Sequence, residues 1–430
     1  MKRVILLLLA TALGFSQATP VSSSPDPKQR VRSVRDLAKQ GADSIPKLAP
    51  FLSDADLNVR VEAVKALIEI GGPKTVEPLL AATKDNDSEM QIRSAEGLAN
   101  VYLPGYLKNG ISGSLQRAGD AIRARFGGAN DQVIDAFVTV RPEVIAALGR
   151  LVRGGSSWES RAVSARALGV LRGRAALDDL VEAVHSKEDQ LMYEALIAIQ
   201  KIREPSAGPR IAFRLRDLDD RIQLTTLETT GILRNREAAA DVADVFDHAR
   251  NVKIKHMAAE TLAQFARPED RAFFVNWLND RDDLLRVPGA EGLGRIKFAG
   301  DRQALEKALP GEHNMNVRLA VVFALVSFGN LDTSELAPFR YLISTLNSKA
   351  FKPVASAYLI ELARDAQVRR TIYTILPTAA KEEKIGLSAI LAASGDKDSV
   401  PVLETLSMDT DSEVAQEGIR GLRTLRARLP

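Results

Sequence analysis

Apolar residues along this chain fall at steps of three and four, the spacing that gathers them on one stripe of an α-helix. The segment Val59 to Gly71 shows the pattern well. Counting from Arg60, Ala63 lies three on, Ala66 six, Leu67 seven, Ile70 ten and Gly71 eleven. The same steps recur from Arg161, Lys255, Arg286 and Arg318, and weaker copies start at Arg30, Gln91, Met192, Gln223, Lys352, Lys384 and Ala415. These anchors are 30 to 34 residues apart, with one step of 70. A period so regular marks a repeat array.

Each repeat predicts a second, earlier helix, such as Thr75 to Thr83, Ala175 to Val184 and Val400 to Leu406. Aspartates sit between the two helices: Asp54 and Asp56, Asp85 and Asp87, Asp280 and Asp283, Asp409 and Asp411. Their carboxylates are suited to accept hydrogen bonds from the free amides that open the second helix. Gly97, Gly169, Gly231, Gly294 and Ala259 lie inside second helices, where glycine is unfavourable. Close approach of neighbouring helices gives them a purpose. No single helix pair can bury its own stripe, so the pairs must stack. The expected fold is all-α: a right-handed solenoid of about 12 stacked antiparallel helix pairs.

With its D…VR…A…AL…IG pattern, strongest at Arg60, Arg161, Arg286 and Arg318, the chain resembles HEAT-repeat proteins of the short, bacterial, phycobilisome-lyase-like kind. The resemblance runs from about Lys28 to Pro430. It implies an ARM/HEAT-type solenoid and says little about activity, because function lives in sites rather than folds.

The step of 70 predicts an insertion. We place N-terminal repeat units at 28–103, a helical insertion at 104–141 and C-terminal units at 142–430. Ile111, Leu115, Ala118, Ile122 and Phe126 keep helical spacing, with Arg117 and Arg123 on the opposite side, and a second short helix is expected from Asp131 to Val140. The insertion is either a degenerate repeat or an arm that meets a partner or a lipid surface.

Composition then removes most chemistry. The chain has 430 residues, no cysteine and four histidines, so disulfides, thiolate metal sites and cysteine nucleophiles are excluded. Lys2 and Arg3, the apolar run Val4 to Phe15 and Ser16-Gln17-Ala18 have the form of a secretory signal peptide, 1–18, cleaved after Ala18. A flexible leader, 19–27, would follow. With Lys2 and Arg3 gone, a formal charge of +3 becomes +1, which is no basis for nucleic-acid binding. The location expected is the periplasm or outside the cell.

Candidate sites are few. His256 and Glu260 are four apart on one helix, a spacing open to a metal, yet no third ligand is suitably placed. No His-Glu dipeptide occurs, against the iron-binding pattern of HEAT-like deoxyhypusine hydroxylases. No catalytic, cofactor or metal residue is assigned. The basic anchors are expected to pair with the acidic inter-helix turns. The exposed face of the second helices is expected at anchor +2, +5 and +9. It would be acidic at Glu228, Glu260 and Glu291, and apolar towards the C-terminus at Phe323, Val354, Ala357 and Ala389. These residues, with Arg117 and Arg123, are the expected partner-binding surface of a non-enzymatic scaffold for a protein or peptide. A lyase- or hydroxylase-type enzyme subunit, or a lipid-surface protein using 102–126, is the alternative.

Overall fold

The computed structural model describes residues 24–107 and 132–429. Its described residues build an α-solenoid of the HEAT and armadillo type. Each of the twelve anchors falls inside a long helix, from Pro27–Ala38 through Asp283–Ile296 to Ser412–Arg428. Consecutive second helices pack on one another along the whole stack. Ser88–Tyr102 packs directly on Trp158–Val170. The extra residues therefore interrupt the sequence without interrupting the stack.

First helices are shorter and open with a 3-10 turn in many units, as at Pro73–Thr75 before Val76–Ala82. The core follows the units as two apolar clusters that meet around the helix Asp220–Ile232. Leu227 belongs to one cluster and Ile222 to the other, and both are fully buried.

A two-aspartate turn repeats between helices. Asp54 accepts from the Asp56 amide, and Asp56 accepts from the amides of Asn58 and Val59 to open the helix Leu57–Ile70. Asp85 and Asp87, and Asp409 and Asp411, repeat the arrangement. In the unit between, the cap is Asp282 rather than the expected Asp283, because Asp280 bonds the Asp282 amide and so fixes the start one residue earlier.

The first aspartate has a second role. Arg30 pairs with Asp54, Arg60 with Asp85 and Lys384 with Asp409, while Glu312 takes that place for Arg286. Arg60 and Arg286 also donate to carbonyls of their own turn. Gln91 and Gln223 keep that second function by donating to the carbonyls of Asp85 and Leu215. The basic column is thus a structural ladder between units, each rung worth little by itself.

Small residues do mark close approach. A Cβ on Gly294 would stand 2.6 Å from the Ala324 Cα of the next second helix. Gly294→Val should therefore force the two helices apart and lower stability by about 1–3 kcal/mol. Thermal melts of variant and parent check this, and an unchanged midpoint would refute the contact.

Residues 132–140 correct an expectation. They form no helix: Val138 closes a turn onto Asp135, and Ile134 donates to the Val170 carbonyl with its side chain buried. An extended strap pinned to the end of a neighbouring helix replaces the amphipathic turn expected there. Pro27 already lies in the first helix, capped by Asp26, so the leader ends earlier than expected. Arg117 and Arg123 lie outside the described residues, as do residues 1–18. Among the described residues no helix is long and apolar enough to cross a membrane.

Candidate functional site

The stack curls tightly enough for distant units to touch across the inside of the curve. Arg234 pairs with Glu361, 127 residues later, at 3.1 Å. Arg420 in the last helix pairs with Asp135 of the strap at 2.8 Å. Arg234, Arg295 and Glu361 come from second helices or from the turns that end them, so that side of the units lines the inner face.

The ends of those helices carry an unusual column. Gly71 and Gly329, at anchor +11, have φ of 64° and 91°, the left-handed conformation that suits glycine. Four other units place a basic residue at the same step. Arg172, Arg203, Arg234 and Lys297 all have φ between 48° and 58°. A side chain in this conformation costs about 1 kcal/mol over glycine. Backbone strain repeated in register is the kind of feature that marks a working surface.

Arg172, Arg203, Arg234 and Arg364 are open to solvent yet ringed by protein, as expected for the wall of a concavity. Burial is the leading cause that pushes the guanidinium pKa of Arg172, Arg203 and Arg234 below its ordinary value. Repulsion from Arg364 adds to it for Arg203 and Arg234. Among the described residues Arg203 and Arg364 form no ion pair.

A cleft of about 420 Å³ opens here between the units that carry Arg234, Arg295 and Glu361. Five basic side chains line it against the two carboxylates of Glu361 and Asp365, which leaves it electropositive. Its apolar part includes Val326, Leu331, Leu362 and Val368.

Beneath the cleft lies a closed ionic network. Arg295 holds both oxygens of Glu361 at 3.0 Å and donates to Glu291 at 3.0 Å. Tyr358 donates to the other oxygen of Glu291 at 2.6 Å. Glu361 is drawn down to about 2: burial opposes ionisation, and the Arg295 charge and hydrogen bonds overcome it. Arg295 is raised above its usual range, the two carboxylates outweighing the burial that opposes it.

The residues expected to form the exposed docking stripe divide. Phe323 is 1% exposed, stacked on Tyr358 at 4.6 Å with Arg295 over its other side. Val354 is buried, Ala357 half-buried and Ala389 exposed. Glu260 and Glu291 are buried and Glu228 is half-buried, so the inner face is not the acidic surface expected from the +5 column. A polar residue on the stripe facing the next unit is enclosed by that unit, and the exposed face is shifted towards the helix ends.

The steps counted along the sequence leave out Arg172, Arg203, Arg234 and Lys297. The signal was present: four units carry a basic residue where Gly71 and Gly329 stand.

His256 does not converge with Glu260 on a metal site. Its Nε2 lies 2.7 Å from Asp282, the cap of the next second helix. Among the described residues no three His, Asp or Glu side chains gather where a metal could be held.

The HEAT-repeat family model matches residues 18–99. No curated protein matches the chain. Among solved structures, an engineered protein has 19% identity and a TM-score of 0.38 over 95% of this chain and 99% of its own. The β-catenin of a cadherin–β-catenin study has 13% identity and a TM-score of 0.42, covering 94% and 99%. The CpcE–CpcF complex of phycocyanin lyase from Nostoc has 15% identity and a TM-score of 0.37, covering 64% and 94%.

Proposed function

We propose that the chain is a non-enzymatic scaffold that holds a segment of a partner protein along its inner face, in the cleft that Arg234 and Glu361 line. The observation that carries this reading is the strained basic column. Of five left-handed side chains in register, four are basic, and among the described residues only Arg234 of those four is held in an ion pair, with Glu361. Many modest contacts spread over several units then add to useful affinity.

A photo-crosslinking residue at Gln367, on the cleft, should capture partner protein from cells that make the full chain. The same residue at Lys307, exposed on a first helix, should not. Equal capture from both positions would defeat the reading. Export to the periplasm or beyond is part of the proposal and rests on the pattern of residues 1–18. The mature protein should begin at Thr19, which N-terminal sequencing of the purified protein checks.

A further inference from the structure

The cations of the anchor ladder and of the buried network are already answered. The anchor ladder engages Arg30, Arg60, Arg286 and Lys384, and the buried network engages Arg295. The inner wall is different. Among the described residues Lys297 and Arg364 have no carboxylate partner, and both line the cleft. Arg234 shares Glu361 with Arg295. The wall therefore concentrates positive charge in a space where like charges already repel.

We propose that this cleft selects an acidic peptide segment. Its carboxylates would pair with Arg234, Lys297 and Arg364, which line the cleft, while apolar side chains beside them rest on Val326, Leu331 and Leu362. The proposal rests on the docking reading above and narrows it to one chemistry. Guanidinium groups suit carboxylates because their fixed fork can donate two parallel hydrogen bonds. The aliphatic part of the cleft suits side chains that alternate with acidic ones.

A nucleic acid fits less well. Glu361 and Asp365 lie among the basic groups and would repel a continuous run of phosphates. The one aromatic ring lining the cleft, Phe323, is covered on both faces by Tyr358 and Arg295, so it offers no surface for base stacking.

The test uses the full chain and three labelled probes: a peptide of repeated Glu-Glu-Leu, its Lys-Lys-Leu counterpart and single-stranded oligo-dT. The Glu peptide should bind, and more weakly as salt rises from about 0.05 M to about 0.5 M. The Lys297→Gly, Arg364→Ser double variant should bind it at least about tenfold more weakly. Its unfolding midpoint should change little, because glycine is the residue that the left-handed position prefers. Arg364→Lys, which keeps a charge without the fork, should lose less.

Equal binding of the Glu and Lys peptides, unchanged affinity in the double variant, or preference for oligo-dT would each overturn the acidic class. The docking reading fails separately. A Lys peptide that crosslinks from Gln367 and not from Lys307 would keep the docking site and remove its acidic preference. Peptides that crosslink equally from both positions would remove the site itself.

Discussion

Arg295→Ala is expected to lower the stability of the middle of the stack by about 3–5 kcal/mol, the largest effect of any single truncation proposed for the inner face. The guanidinium neutralises two carboxylates at once. Without it, Glu291 keeps Tyr358 as a donor and Glu361 keeps Arg234, but Glu291 is fully enclosed and loses the Arg295 charge. An ionised carboxylate in that position is strongly unfavourable. The loss should show as a lower urea midpoint and as faster hydrogen exchange in the helices Asp283–Ile296 and Lys352–Leu362. Pairing the change with Glu291→Gln should recover part of it, since a fully enclosed charge is then removed.

The acid limb gives a second reading of the same network. Glu361 is held at about 2, against 4.5 for an ordinary glutamate. A depressed carboxylate contributes stability that is complete above pH 4.5 and is lost as pH falls towards 2. The contribution is about 3 kcal/mol for the parent. In Arg295→Ala the acid loss should shrink. A variant that matches the parent in urea at pH 7 and in its acid limb would remove the network from any account of stability.

The repeat itself was legible because packing writes it into the sequence at fixed steps. Ala63 and Leu67, counted from Arg60, are demanded by one neighbour at a fixed distance, so most units show them or a near substitute. Twelve anchors in twelve second helices follow from that local demand. Even the anchors without a positive charge were informative, since Gln91 and Gln223 keep the hydrogen bond to their own turn.

The cleft was harder to read for a different reason. Arg234 and Glu361 meet because small rotations between units accumulate into a tight curve, and residue spacing does not record that sum. The buried glutamates misled for a related one. Glu194 is fully enclosed because Arg166, from the previous second helix, holds both its oxygens. From one helix alone, such a carboxylate looks like a surface residue. The column Arg172, Arg203, Arg234 and Lys297 is where sequence could have gone further. Comparing the same step across units reveals a residue class that glycine would normally fill.

Glu228→Gln is expected to stabilise the protein at pH 8 and to leave it nearly unchanged at pH 5. Glu228 sits inside the stack, and burial pushes its carboxyl up to about 7. The Glu260 charge, at the same step of the next unit, adds to the shift. Gln200 stands close enough to oppose it but completes no hydrogen bond: its Nε2 and the Glu228 Oε1 are both left without a partner. A raised carboxyl binds its proton more tightly in the folded chain than in the unfolded one. Folding is therefore favoured below pH 4.5, and that advantage is lost as pH climbs from 4.5 through about 7. The whole excursion amounts to about 3 kcal/mol. Glutamine has the shape of the protonated acid and cannot ionise, so it removes the slope while keeping the packing. Urea midpoints of parent and variant at pH 5 and pH 8 check this, with the gap opening at the higher pH. Parallel curves across that range would mean that Glu228 stays charged in the folded chain. The pair with Glu260 would then have to be held by partners other than Gln200.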